Sequence, residues 1–229
     1  MHAPVHIHIA GLGIELHDAD SALADLHGLY AEFNQRSAAY KSDPANPHLC
    51  KAGCSHCCKR GAFFGVTLAE AVAWSAAVEA LPAKSKIPAQ RTAHALIVEQ
   101  ARLFADNVSP SDIPGQREEP SFSARISRLN RDLGPACPLL ADDLCTVYDA
   151  RPMLCRAYGF PVDAYAVKSD AAIVFRSLCQ LYDGLSLSDY VRAEDLKDRL
   201  RQISRRLGGN RDWGRFTSAE AIMATLHYG

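Results

Sequence analysis

The sequence has no uninterrupted apolar stretch near the roughly 18 residues that a membrane span requires. Residues 1–13 carry histidines where a secretory leader would carry a basic region. Neither membrane insertion nor export finds support, so the expectation is a cytoplasmic chain with no membrane partner. Net charge is also nearly missing: 25 Lys and Arg stand against 26 Asp and Glu, giving -1. Without a global positive field, nucleic acid is a disfavoured partner. No internal repeat or low-complexity tract stands out. There is no glycine-rich cofactor loop either, because Gly11-Leu12-Gly13 lacks the third glycine and the following acidic residue of a dinucleotide fingerprint. Strand signals are sparse and confined to residues 5–9 and 171–175.

Helical periodicity is abundant. Leu23, Leu26, Tyr30 and Phe33 recur at spacings of three and four, which predicts a helix over 21–40. Thr67-Leu68-Ala69-Glu70 is a capping-box pattern that starts a second helix, with Pro82 as its end. A third runs over 88–107 on Leu96, Ile97, Leu103 and Phe104. Three prolines and Gly115 make 107–121 a linker. Further helices are expected over 122–133, 186–207 and 218–227. The expected fold is therefore mainly α, with few or no strands. It is one helical domain spanning 1–229 around a cysteine-ligated metal centre, with a core at 50–179 and helical extensions at both ends.

Eight cysteines are the feature that the rest must explain. Cys50, Cys54, Cys57 and Cys58 place four thiols in nine positions, and Cys137, Cys145, Cys155 and Cys179 form a second set of four. Thiolates are soft ligands for zinc, copper(I) and iron-sulfur clusters, and short spacings aim several sulfurs at one ion. Inert buried thiols and disulfides are the alternatives. The density of the first cluster argues against the former and a reducing compartment against the latter. On a helix, Cys50, Cys54 and Cys57 share a face while Cys58 turns about 100° away from Cys57. One metal cannot easily use both, so at least one of them should meet thiols of the second set. Pro138 and Pro152 stiffen ligand loops. Lys51, Lys59, Arg60, Arg151 and Arg156 are placed to offset thiolate charge.

These residues resemble the YkgJ-type cysteine-cluster family, described as zinc- or iron-chelating and distantly related to flagellin lysine methylase. The signature is C-x3-C-x2-C-C, then C-P, another Cys, Y-x2-R-P-x2-C-R and a last Cys. Here it reads Cys50, Cys54, Cys57, Cys58, Cys137-Pro138, Cys145, Tyr148, Arg151-Pro152, Cys155-Arg156 and Cys179. The resemblance covers about residues 50–179 and implies that all eight cysteines ligate metal, as an iron-sulfur cluster or as zinc or iron ions. It implies no single reaction.

Three functions follow from these readings. The first is an iron-sulfur or redox protein with a protein redox partner, and the second a structural zinc module that presents an interaction surface. The third is a lysine methylase-like modifying enzyme, suggested by the resemblance alone. Cys50-x3-Cys54-x2-Cys57 also has the radical S-adenosylmethionine spacing, but the helical pattern argues against the partial barrel of those enzymes. His48 and His56 flank the first cluster and are read as polar neighbours, Asp142 and Asp143 as a solvated turn, and Tyr148 as packing beside the site. Arg199, Arg201, Arg205, Arg206 and Arg211, interspersed with Asp195, Asp198 and Asp212, read as an ion-paired helix face rather than an RNA surface.

Overall fold

A computed structural model describes residues 4–46, 53–60, 63–103, 126, 128, 130, 133–162, 167–169, 172–174 and 190–228. In chain order the elements are β1 Val5–Ile9, β2 Leu12–Leu16, α1 Ala19–Ser42, α2 His56–Arg60, β3 Gly65–Val66, α3 Leu68–Glu79, α4 Ala83–Leu103, β4 Leu140–Ala141 and β5 Leu144–Cys145. A 3-10 turn at Tyr148–Ala150 follows, then α5 Met153–Ala157, β6 Val167–Ser169, β7 Ala172–Val174, α6 Glu194–Leu207, β8 Phe216–Thr217, α7 Ser218–Met223 and β9 Thr225–Tyr228. The expected linker at 107–121 lies outside the described residues, as do Cys50 and Cys179.

The expectation of a mainly α fold with few or no strands is wrong. The strands form a three-stranded antiparallel sheet, β2-β1-β9, and three two-stranded pairs, β3-β8, β4-β5 and β6-β7. Most are two to five residues long, too short for alternation to show against the helical pattern. β1 and β2 close through Ala10 (φ 51°) and Gly11 (φ 79°), the pair of left-handed residues that tight hairpins favour. So Gly11-Leu12-Gly13 belongs to a hairpin. β9 overturns the expected helix over 218–227. That helix stops at Met223, and Thr225–Tyr228 pairs with β1 instead, a tertiary contact that local periodicity does not carry.

The helices agree better with expectation. α1 buries Ala22, Leu26, Leu29, Tyr30, Phe33, Ser37 and Tyr40 along one stripe. α4 begins at Ala83 rather than residue 88 and carries Pro88 inside. Pro82 opens this helix, its carbonyl accepting from Ser85 N (2.8 Å) and Lys86 N (2.9 Å). α6 begins at Glu194 rather than 186, because Val191 is spent on a bridge to Val162 and its N–H donates to Pro161 O. In the segment 122–133, the described residues Ile126, Arg128, Asn130 and Leu133 are helical. Buried apolar side chains from Ile7 to Ala224 form one cluster. No helix among the described residues is long and apolar enough to cross a membrane.

A short internal repeat, not expected from the sequence, organises this core. Thr67-Leu68-Ala69-Glu70-Ala71-Val72 and Thr217-Ser218-Ala219-Glu220-Ala221-Ile222 each end a strand and begin a helix with a complete capping box. The two units pack back to back through β3 and β8, and Ser218 N donates to Phe64 O. Glu70 is 2% exposed and does more than cap. Its Oε2 accepts from Thr67 N and Oγ1, and its Oε1 accepts from Met153 N (2.8 Å), the first residue of α5. One carboxyl group thus satisfies orphan donors at two helix starts.

The arginine-rich helix α6 faces α1 through ion pairs. Arg36 bridges Glu32 and Asp195, Arg199 reaches Glu32 (2.6 Å), and Arg206 pairs with Asp25. Hydrogen bonds from Arg199 and Arg36 hold the Glu32 carboxyl below its ordinary range, and Arg36 does the same to Asp195.

Two outcomes follow. Glu70→Ala strands donors at two helices and should cost about 2–4 kcal/mol in urea unfolding, more than the about 1–2 kcal/mol of losing a single cap. A cost no larger than that of a single cap would remove the bridging role. The lowered carboxyls stabilise above their unfolded values of 4.5 and 3.8 and lose that contribution as pH falls through the lower folded values. Arg36→Ala should therefore cost no more than about 1 kcal/mol at pH 7 and flatten the loss of stability below about pH 4, as read from urea midpoints across pH.

Candidate metal centre

Four chain segments bring the cysteines together. Cys54 precedes α2, Cys57 and Cys58 ride on it, Cys137 lies in the approach to β4, Cys145 ends β5, and Cys155 sits in α5. All six described cysteines are free and line one cavity of about 510 Å3. The spacing places Cys57 and Cys58 on diverging directions, yet their sulfurs are 3.8 Å apart. The two sets also meet through the backbone, where Cys137 N donates to Cys58 O at 2.7 Å.

The thiols of the two sets act on one another: Cys155 feels Cys137, Cys57 and Cys145, Cys137 feels Cys145 and Cys57, Cys145 feels Cys57, and Cys57 is hydrogen-bonded to Cys58. Cys57 and Cys58 come from the first set and the others from the second. Among the described residues no group of three or more His, Cys, Asp or Glu is arranged to hold a metal ion. What the structure brings together is a shared chamber of soft donors. The donor chemistry fits zinc or iron, with Cys57, Cys137, Cys145 and Cys155 as the residues that would hold it.

The thiols are raised. The hydrogen bond shared with Cys58, and then burial, push the Cys57 thiol far above its usual range. Burial pushes Cys137 up to about 11, and raises Cys145 and Cys155 as well. The expectation that neighbouring cations lower the thiols holds only for Arg151, which opposes the rise at Cys145 and Cys155. Lys59 is engaged elsewhere, on Asp143 at 2.6 Å. Lys51 and the Arg60 side chain lie outside the described residues.

Arg156 is the more informative cation. It is 8% exposed and has no carboxylate partner among the described residues. Its Nε donates to Arg151 O (2.8 Å), one terminal nitrogen reaches Asn34 Oδ1 (3.5 Å), the other donates to Asp149 O, and the guanidinium lies 4.2 Å over the Tyr30 ring. Burial lowers its pKa, with Arg151 adding to that effect. A buried cation without a counter-charge is costly, and ionised sulfurs in the adjoining chamber would supply one.

Asp142 (φ 49°) and Asp143 (φ 62°) turn the β4–β5 hairpin in left-handed conformations that cost non-glycine residues energy. Asp143 accepts from Ser55 Oγ (2.9 Å) and pairs with Lys59, and these contacts hold its carboxyl below the ordinary range. The turn expected to be merely solvated therefore ties the Cys145 hairpin to the Cys54–Cys58 segment. Tyr148 is exposed, and the Arg151 guanidinium stacks 3.4 Å over its ring. His56 lies at the start of α2, while His48 lies outside the described residues. Sequence reasoning missed the chamber's apolar wall, including Phe33, Phe64, Trp74 and Phe160. Trp74 Nε1 is buried with no hydrogen-bond partner among the described residues. Nothing local marks these aromatics out from ordinary core residues.

The radical S-adenosylmethionine architecture finds no counterpart, since every named sheet among the described residues is antiparallel. No curated protein and no solved structure matches the chain. A family model does: CxxCxxCC, "Putative zinc- or iron-chelating domain", matches residues 49–180, a span that holds all eight cysteines and every wall of the thiol chamber except those on α1. On that match, over more than half of its length, the chain belongs to the CxxCxxCC family.

Proposed function

We propose that the chain is a metalloprotein in which both cysteine sets, Cys50, Cys54, Cys57, Cys58, Cys137, Cys145, Cys155 and Cys179, serve one shared thiolate centre of iron-sulfur type, used in electron transfer with a protein partner. The observation that carries the reading is that Cys54, Cys57 and Cys58 of the first set and Cys137, Cys145 and Cys155 of the second line one cavity. Two further observations support it. Buried Arg156 has no ion-pair partner among the described residues, and negative charge in the chamber would favour it. A volume of about 510 Å3 exceeds what one ion with sulfurs at about 2.3 Å would fill. A cluster, when bound, would supply one-electron chemistry. The chain's part is to gather the thiols, exclude water with its aromatic wall and balance charge with Arg151 and Arg156. We read the chain as one domain, 1–229, with 50–179 as the metal core.

The second reading, structural zinc, is favoured by the family description, which names zinc beside iron. Iron, zinc and sulfide analysis with an ultraviolet-visible spectrum of anaerobically purified protein separates the two. Iron with inorganic sulfide and visible absorption is expected, and zinc alone with no visible band would replace the cluster. Cys57→Ser and Cys155→Ser, one from each set, should each remove well over half of the bound metal and lower Tm, because bound metal stabilises only the folded chain. If each removed only its own half, the sets would be separate sites.

The thiol shifts give a pH test with opposite signs in the two states. Cys137 ionises near 9.0 when unfolded and near 11 when folded, so folding of the metal-free chain is fully supported below pH 9. That support is lost as pH rises from 9 to about 11. Metal uptake must displace thiol protons and should strengthen over the same rise. Urea midpoints of metal-free protein and metal competition titrations between pH 7 and about 10 check both signs.

A further inference from the structure

A second set of metal-ligating side chains lies on the opposite face of the N-terminal sheet from the core. Ile7 and Ile9 of β1 point inward, fully or almost fully buried. Because side chains alternate along a strand, His6 and His8 point to solvent. β9 runs antiparallel beside β1 with His6 opposite His227 and His8 opposite Thr225. On the other side of β1, His6 faces Glu15 and His8 faces Gly13. Three of the nine histidines thus share one exposed face of three strands, with a carboxylate beside them.

We propose that His6, His8 and His227 form a binding site for a divalent transition metal of the zinc, nickel or copper class, separate from the cysteine chamber. The His8 and His227 rings are already 4.5 Å apart between centres, tilted at 48°. Two imidazoles on one tetrahedral ion, with bonds of about 2.0 Å, put ring centres roughly 5 Å apart. The pair therefore needs only a small adjustment to share an ion. His227 is oriented from behind. Its Nε2 lies 3.2 Å from Thr225 Oγ1, and the tautomer that donates this bond leaves Nδ1 with its lone pair free. The His8 ring lies against Gly13 of β2, where an added methyl group would make an ordinary contact of 3.5 Å with Nε2. His6, directly opposite His227, is the third ligand. Since no ready group of three stands among the described residues, His6 must turn about its side-chain torsions to complete the set. Imidazole and carboxylate suit borderline ions, whereas the thiols of the chamber select softer chemistry. The two sites therefore differ in ligand class as well as in place.

The test uses the full chain as purified and adds zinc chloride while the imidazole carbon-bound protons are followed by NMR. Signals of His6, His8 and His227 should shift together and saturate at one zinc per chain, while those of His17, His27 and His94 stay in place. In a His8→Ala/His227→Ala variant the saturable zinc event should vanish. Thr225→Val should weaken it roughly tenfold, as loss of an orienting partner does. All substituted side chains are solvent-facing, so Tm should be close to the parent's, and a variant that unfolds is replaced by His8→Gln/His227→Gln. Cobalt(II) gives a second readout: sulfur-to-metal charge-transfer bands report the cysteine chamber and are absent for imidazole ligation. Loss of those bands with the histidine shifts intact would defeat the cysteine reading alone. Uniform shifts of all the histidines, or none at His8 and His227, would overturn this site.

Discussion

A guanidinium taken out of water is costly, and the hydrogen-bond partners of Arg156 among the described residues are neutral acceptors, with the Tyr30 ring against it and the Asp149 carboxylate acting on it through space. Those same contacts fix the architecture of the centre. The backbone acceptors come from the loop that leads into α5, and Asn34 and Tyr30 come from α1, so the cation ties the Cys155 helix to α1. On the chamber side lies Cys155, which also acts on the cation, and burial raises its thiol, so that as a neutral group it gives Arg156 little charge. Metal-bound thiolates would supply that charge. Arg151 acts in the same direction at Cys145 and Cys155, from a more exposed position where water already shares the screening.

Around that cation the structure holds the cysteine segments by contacts that involve no sulfur. Glu70 fixes the start of α5 through Met153 N, Asp143 fastens the Cys145 hairpin to Ser55 and Lys59, and Cys137 N hangs on Cys58 O. The left-handed pair Asp142 and Asp143 shows that this fastening has a cost in backbone conformation. Small zinc fingers work the other way, with the metal itself organising a chain that is otherwise unfolded. Here a continuous apolar core and hydrogen-bonded connections also position the donor segments.

Much of the candidate site could be read in the sequence, because metal ligation depends on residue type and spacing, both of which are local. The two sets of four cysteines and the adjacent arginines came from order along the chain. The expected divergence of Cys57 from Cys58 did not hold, since their sulfurs lie 3.8 Å apart, and the convergence of both sets on one cavity rests on long-range contacts such as Cys137 N to Cys58 O. The fold was less legible. α1 and α3 announced themselves through period and capping box, whereas β9 exists only because β1 has an open edge beside it. β3 and β8 are two residues each, and the repeat that joins them was hidden by its shortness and by a separation of about 150 positions. The thiol shifts also went against the local reading: five basic neighbours suggested lowered pKa values, but burial outweighs charge at Cys137 and Cys155, and Lys59 turns away to Asp143.

Contacts that hold the cysteine segments without any sulfur bear on what a metal bound there would have to supply. Where the ion supplies the fold, removing or exchanging it unfolds the chain, so such a centre is kept closed and filled. Where hydrogen bonds and apolar packing already place the donors, less of the binding free energy goes into ordering the backbone, and more of it is free to set affinity and redox poise. The chamber is also larger than a closed four-sulfur ion needs, and part of its wall is apolar, with the Trp74 indole N–H facing no partner among the described residues. Low-dielectric surroundings and two nearby guanidinium groups are the means by which a protein tunes a thiolate centre's potential. It is this arrangement that supports a reactive centre, whereas the family description carries zinc or iron chelation alone.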